Sequence, residues 1–186
     1  MKKIVYDFTN KEKELLNGLK NDYILSYSFG EEEHHKELVM GNFLLKTQTK
    51  FIEISNYEKT SQWFNGNEEV SNLRIKEIKN ESEYTPYTNK ENCKTIVIDK
   101  KITKIELIYD IITIQPNDYE FTILRGIIFN FENDERFIVS IGWYFGEMIY
   151  ISQVEEEMYS IDRIIDDWKM DYDDRKVILK RIKKEI

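Results

Sequence analysis

Residues 102–151 read ITKIELIYDIITIQPNDYEFTILRGIIFNFENDERFIVSIGWYFGEMIYI, and this stretch carries many of the chain's Ile, Phe and Tyr residues. β-Branched and aromatic side chains suit a pleated sheet, and their alternation here predicts successive strands. The two clearest breaks are the turns 115–118, QPND, and 133–135, NDE. The stretch therefore predicts an antiparallel sheet to which the rest of the chain is attached.

The strands on either side of the second turn can be aligned through their apolar faces. A three-residue loop sets Phe131 opposite Phe137 and keeps the apolar side chains on one face. This alignment requires a left-handed backbone at Glu135. It also sets Arg125 opposite Trp143, where a cation–π contact is possible.

Earlier in the stretch the apolar residues change parity. Ile105 and Leu107 occupy one face of the predicted strand, but Ile112 and Ile114 fall on the opposite parity. One extra residue in a strand produces such a change, so the pattern predicts a bulge or a break near Asp110.

The whole chain of 186 residues has a length that fits a single domain, 1–186. The predicted fold class is α+β: a predominantly antiparallel, meander-like sheet of about eight to ten strands, a short N-terminal helix and one or two C-terminal helices. All-β with minor helices is the alternative. If the chain has a lobe boundary, it lies in the polar loop 80–92.

Helix signals lie near both ends of the chain. Asp7 or Thr9 can cap a helix from about Asn10, and Ser160 can cap one that continues through Trp168. The segment 175–186 fits a helix or a strand, and helical spacing of its apolar residues favours the helix.

Charge is distributed unevenly along the chain. The net charge is −8, which argues against general nucleic-acid binding. Residues 132–174 contain 13 acidic and 3 basic residues, whereas residues 175–186 contain 6 basic residues and 1 acidic residue. The acidic segment directly follows the predicted aromatic strand end at Trp143.

These features favour a non-enzymatic protein-binding module of the immunity or inhibitor type, in which the acidic segment docks a basic protein surface. Mimicry of a phosphate backbone is one version of this hypothesis. The predicted binding residues combine aromatic and acidic side chains: Trp143, Tyr144, Glu147, Glu155, Glu156, Glu157, Asp162, Asp166 and Asp167.

Two other classes of function stay open. A metal-dependent enzyme would use His34 or His35 with carboxylates, although adjacent histidines cannot both join one site. A structural or self-associating protein, including a homodimer, is the other. The sequence predicts no catalytic residue, metal site or cofactor, and no direct contact with nucleic acid or membrane. Cys93 is the only cysteine, which favours a cytoplasmic location.

Overall fold

A computed structural model describes residues 2–30, 38–63, 66–87, 93–115, 119–153, 160–171 and 176–186. Within these ranges the chain forms two β-sheets and two α-helices. The strands of the first sheet are β1 (Lys2–Tyr6), β3 (Leu38–Met40), β8 (Lys104–Gln115), β9 (Tyr119–Asn130), β10 (Arg136–Ile141), β11 (Met148–Ser152) and β12 (Lys176–Glu185). Those of the second are β2 (Tyr23–Gly30), β4 (Asn42–Thr47), β5 (Phe51–Trp63), β6 (Gly66–Ile78) and β7 (Cys93–Lys101). The helices are α1 (Asn10–Asn17) and α2 (Ile161–Asp171).

Strands that follow one another in the chain often lie side by side. The first sheet has the order β12-β8-β9-β10-β11-β3, and β1 pairs with the part of β9 that β10 leaves uncovered. The second sheet has the order β6-β5-β4-β2-β7. Only the pairing of β1 with β9 is parallel in the described residues. The predicted α+β fold with mainly antiparallel strands is confirmed, with more strands than expected.

Both sheets contribute to one hydrophobic core. Phe43 and Ile54 of the second sheet belong to the same buried cluster as Leu107 and Phe129 of the first. The chain passes from β3 to β4 through Gly41, whose φ is +67°. Because an L side chain rarely adopts this conformation, glycine suits the crossing from one sheet to the other.

The N-terminal helix begins where the sequence predicts it. Thr9 is the N-cap, and its hydroxyl accepts a hydrogen bond from the backbone N–H of Glu12. The Glu12 carboxylate accepts one in return from the backbone N–H of Thr9, at 2.7 Å. This reciprocal arrangement is a capping box, and it satisfies amides that would otherwise lack partners.

The C-terminal segment is a strand, and the helix favoured for it is wrong. Val177 and Leu179 alternate toward the core and pair with Ile114 and Ile112 of β8. An edge position beside a long strand offers ten residues of backbone pairing, which outweighs weak helical spacing.

The predicted irregularity near Asp110 is confirmed as a β-bulge between β8 and β9. The register shifts by one residue between Ile108 and Tyr109, so that Arg125 is an extra residue on β9. A bulge bends its strand and changes the direction of side chains. Here the bulge lies where the core-facing residues of β8 change from odd positions, such as Leu107, to even positions, such as Ile112.

The hairpin of β9 and β10 keeps the predicted faces but not the predicted register. Phe137 pairs with Phe129, whereas Phe131 was the expected partner. The register therefore differs by two residues. Side chains repeat every two residues along a strand, so the apolar face still points to the core.

The turn of this hairpin explains the difference. A 3₁₀ turn, Glu132–Asp134, lengthens the connection, and its left-handed residues are Asn133 and Asp134. The predicted hairpin register required a left-handed backbone at Glu135, but Glu135 has an extended backbone. Asn and Asp tolerate left-handed φ more readily than Glu, so the turn forms earlier in the chain.

Candidate functional site

The structure places the described members of the predicted binding set on two elements. Trp143 and Glu147 are half-buried in the turn 142–147, while Asp162 and Asp166 are exposed on α2. Tyr144 is fully buried. Three further predicted residues lie outside the described ranges: Glu155, Glu156 and Glu157. Asp167 lies on α2, but its side chain is not described.

The predicted role of Tyr144 in partner contact is wrong, because its side chain does not reach the surface of the folded chain. Its side chain is 0% exposed and belongs to the main core. β10 ends at Ile141, and the turn that follows directs the ring inward. The alternation of a continuing strand, on which the prediction depended, stops before this residue.

The Tyr144 hydroxyl donates a 2.6 Å hydrogen bond to Asp110 Oδ2, inside the protein. Arg181 donates to the same carboxylate from Nε and Nη2, at 2.7 and 2.9 Å. Arg125 Nε lies 4.0 Å from Oδ2. One carboxylate therefore joins β8, β9, β12 and the turn 142–147, which we call the aromatic turn.

Burial and bonding keep the Tyr144 phenol protonated. Burial raises its pKa well above the ordinary value, and the charge of Asp110 adds to this effect. The positive charges of Arg125 and Arg181 act in the opposite direction but do not outweigh burial. Because the phenol stays neutral, it acts as a donor to the Asp110 carboxylate.

Arg125 supports the aromatic turn from the bulge in β9. Its Nη2 donates a 3.0 Å hydrogen bond to the Gly142 carbonyl, and its guanidinium lies 5.4 Å from the centre of the Tyr144 ring. Trp143 lies beyond the end of β10, so it does not form the predicted strand pair with Arg125.

Polar side chains of the second sheet hold the other side of the same turn. The Ser71 hydroxyl donates toward the Trp143 carbonyl at 2.6 Å, and the Asn56 amide donates to the Gly146 carbonyl at 2.9 Å. The Ser71 backbone N–H donates to the Tyr144 carbonyl. Residues 142–147 are thus fixed by both sheets.

Acidic side chains lie on the two strands that hold this turn: Glu58 of β5 pairs with Ser71 of β6, whose hydroxyl binds the Trp143 carbonyl. Glu58 of β5 and Glu69 of β6 approach each other, and the Glu147 charge acts on Glu58 as well. The hydrogen bond with Glu69, then a slight loss of hydration, and then repulsion by Glu69 and Glu147 raise the pKa of the exposed Glu58. We call Glu58, Glu69 and Glu147 the acidic patch.

The described acidic residues of the segment 132–174 lie on more than one element. Glu135 pairs with Lys100 of β7 at 2.8 Å, at the start of β10. Glu147 follows the other end of β10, and five residue steps of about 3.3 Å place the two ends about 17 Å apart. The described acidic residues of the segment thus lie in the hairpin turn, in the turn 142–147 and on α2.

The residues predicted from the sequence did not include Glu58 and Glu69. They also did not include the cluster in which Tyr144, Arg125 and Arg181 surround Asp110. The signal for the first two is the Asn65-Gly66 turn, because a hairpin around it brings the strands together. The signal for the cluster is a charged residue inside an apolar run, at Asp110 and at Arg125. Each such residue requires a buried partner, which the sequence does not identify.

Within the described ranges, no group of three or more His, Cys, Asp or Glu side chains is placed to hold a metal ion. His34 and His35 lie outside those ranges. Neither α1 nor α2, the helices of the described part, has the length and apolar character that a membrane-spanning helix needs.

Comparison of the chain with protein-family models, with curated proteins and with solved structures finds no match.

Proposed function

We propose that this chain is a non-enzymatic protein-binding module of the immunity or inhibitor type. In this proposal the acidic patch and Trp143 dock a basic surface of another protein. The observation that supports it is the hydrogen-bonded pair of Glu58 and Glu69 on the strands whose Ser71 holds the carbonyl of the half-buried Trp143.

Crowded like charges cost stability in the free protein, and a cationic partner relieves that cost. Glu58 and Glu69 are exposed, so a lysine or arginine of a partner can reach them. Opposite charges across an interface also speed association and select the partner. Tryptophan is frequent among the residues that dominate binding energy.

The rigid turn favours a binding role for the residues that it carries. Ser71 and Asn56 fix its carbonyl groups, and Tyr144 anchors it in the core. A surface that is already ordered loses less conformational entropy on binding than a disordered one.

A capture experiment with matched variants tests the proposal. The wild-type chain, the variant Glu58→Lys/Glu69→Lys and the control Glu81→Lys/Glu132→Lys are used as bait in lysate of the source cell. Both control positions are exposed glutamates on other elements: Glu81 follows β6, and Glu132 lies in the turn between β9 and β10. We expect a basic protein to bind the wild type and the control but not the patch variant.

The captured protein is then purified and its affinity is measured at two salt concentrations. We expect the affinity to fall as salt rises, because screening weakens contacts between exposed charges. Equal binding by all three baits, or an affinity that salt does not change, would contradict the proposal.

A further inference from the structure

The hairpin of β5 and β6 extends beyond the sheet that contains it. β4 pairs with β5 only as far as Ser55, whereas β5 and β6 continue to pair as far as Trp63 and Gly66. We call residues 58–62 and 66–69 the arm, and most of them are exposed. A two-stranded hairpin by itself is only marginally stable, so a further strand would stabilise the arm.

β4 does not accompany the arm because the chain changes sheet at Gly41. The strand before Gly41 is β3, which pairs with β11 in the first sheet. The Asn56 N–H donates to the Gly41 carbonyl at 2.7 Å, so hydrogen bonding along this edge of β5 continues as far as Asn56. Beyond Asn56, no strand of the described part of the chain occupies the position that β4 holds next to β5.

The backbone of the arm is aligned for pairing along this edge. In an antiparallel sheet, successive residues of a strand direct their N–H and C=O groups to alternate sides. Because the Asn56 N–H points to the β4 side, the backbone groups of Glu58 and Thr60 point there too. Gln62 is next in this series, and its carbonyl already accepts a hydrogen bond from Lys2 Nζ at 3.2 Å. The open edge is therefore formed by Glu58 and Thr60.

The side chains next to this edge are acidic. Residues paired across strands share a face, so Glu58 and Thr60 lie on the same face of the arm as Glu69, the partner of Thr60. Lys59 is the basic residue of the arm, and it lies on the opposite face. A strand that pairs with the open edge and carries basic side chains on the acidic face would bring them next to both glutamates.

The same charges argue against a second copy of this chain as the added strand. Two arms paired antiparallel along this edge would set Glu58 and Glu69 of both copies on one side of the sheet, where like charges destabilise pairing. Charged side chains that point inward from an edge strand also exclude unsuitable strands. The arm thus selects for a strand of opposite charge.

We propose that the arm binds an extended basic segment of the partner protein, which adds to β5 as an antiparallel strand in the position that β4 leaves open. Backbone hydrogen bonds to Glu58 and Thr60 hold the segment, and every second side chain of it, a lysine or an arginine, lies beside Glu58 and Glu69. Strand addition of this kind is a recurring mode of peptide recognition. The inference rests on the proposed function and specifies the charge and the conformation of the partner.

Synthetic peptides test the added strand directly. The probe alternates lysine and threonine, so all its lysines share one face when it is extended. Two modified probes of equal charge carry N-methyl groups on the lysine amides or on the threonine amides. In an antiparallel pair, the lysines that share a face with Glu58 also direct their amides to β5. By calorimetry in low salt, we expect lysine methylation to raise the Kd at least roughly tenfold and threonine methylation to leave it unchanged.

Two proline variants of the protein locate the edge. Thr60→Pro removes an N–H that points to the open edge, and an edge strand tolerates proline where its N–H side faces solvent. Asn67→Pro is the matched control on β6. The Ser71 N–H points away from β5, to the Tyr144 carbonyl, so the Asn67 N–H points away from β5 as well. We expect Thr60→Pro to weaken binding of the unmodified probe about tenfold and Asn67→Pro to leave it unchanged.

Four results would overturn the proposal: no binding of the unmodified probe in low salt, equal binding of the two methylated probes, weakening by threonine methylation alone, or equal effects of Thr60→Pro and Asn67→Pro. A peptide that alternates glutamate and threonine is the charge control and must not bind. Circular dichroism establishes that each variant is folded, and if Thr60→Pro does not fold, the methylated probes still decide.

Failure of the proposed function is distinguishable from failure of this inference. The proposed function fails if all three baits capture the same proteins equally. If capture depends on Glu58 and Glu69 but the two methylated probes bind equally, docking by charge stands and the added strand is rejected.

Discussion

Tyr144 and Asp110 are 34 residues apart in the chain and share a 2.6 Å hydrogen bond in the core. The tyrosine belongs to a turn and the aspartate to the middle of β8. Through Arg181, which binds the same carboxylate, the aromatic turn is also tied to the C-terminal strand. The surface proposed for partner binding is thus supported from inside the protein.

Removal of the Tyr144 hydroxyl should destabilise the fold. We expect Tyr144→Phe to lower the free energy of unfolding by about 1.5–3 kcal/mol, the usual worth of a hydrogen bond to a charged group. Urea denaturation measures this. Tyr23→Phe, at a tyrosine that is 39% exposed, is the control and should change stability little. Equal effects of the two substitutions would show that the Asp110 bond contributes nothing specific.

Gly126 allows β10 to approach the bulge in β9. A Cβ atom added at this position would lie 2.3 Å from the Val139 carbonyl oxygen, so something must shift. We expect Gly126→Ala to cost about 1–3 kcal/mol, as overpacked cores do. Gly146→Ala is the control, because an added Cβ meets nothing within 4 Å there. Thermal unfolding of both variants checks the difference, and similar melting temperatures would contradict it.

The acidic patch gives stability a pH dependence of known sign. The pKa of Glu58 is raised in the folded chain, so its ionised form destabilises the fold at neutral pH, and protonation as the pH falls removes that cost. Because Glu58 is exposed, solvent screens this repulsion, and we expect Glu58→Gln to be more stable than the wild type at pH 7 by only about a few tenths of a kcal/mol.

The gain from Glu58→Gln should shrink as the pH is lowered from 7 toward 4. Denaturation at several pH values measures it, with Glu81→Gln as an exposed control. A gain that stays constant across this range would mean that charge repulsion is not its cause.

Asp22 should show the opposite sign. Burial alone would raise the pKa of Asp22, but hydrogen bonds from Thr49, Thr47 and backbone amides outweigh it, and the pKa is lowered. The Thr49 hydroxyl and the Tyr23 N–H donate to the carboxylate at 2.6 and 2.7 Å. The ionised form therefore stabilises the fold above pH 3.8, its ordinary pKa, and this is lost as the pH falls through the lowered value.

We expect Asp22→Asn to lose about 1.5–3 kcal/mol of stability at pH 7, since hydrogen bonds to a charged group become neutral ones. The loss should persist down to about pH 4 and diminish at lower pH. Urea denaturation across this range checks it, with Asp162→Asn on the exposed face of α2 as control. A loss that is largest in acid would reverse the predicted sign.

The strands were predictable where apolar alternation continues without a break. Phe129 and Val139 point to the core as the alternation requires, and the parity change correctly marked the bulge near Asp110. The hairpin register was not predictable to better than two residues, because Asn133 and Asp134 both accept a left-handed backbone and the spacing of apolar residues fits either choice.

The candidate site was less predictable, for two physical reasons. The direction of Tyr144 depends on where β10 ends, and Gly142, which follows that end, is a weak signal because glycine also occurs within strands. The partners of Asp110 come from β9, from the turn and from β12, so they are set by tertiary contacts of long sequence separation. Only the existence of a buried charge, and not its partners, can be inferred from an apolar run.

The pairing of Arg181 with Asp110 has a consequence for synthesis. β12 leaves the ribosome after every strand that it joins, so β8, β9 and the aromatic turn are made while Asp110 lacks its bidentate partner. A buried carboxylate that has lost a partner is costly, and the nascent sheet cannot close around it at full stability. Completion of the core, and with it the rigid turn, must therefore wait for the last strand of the described chain.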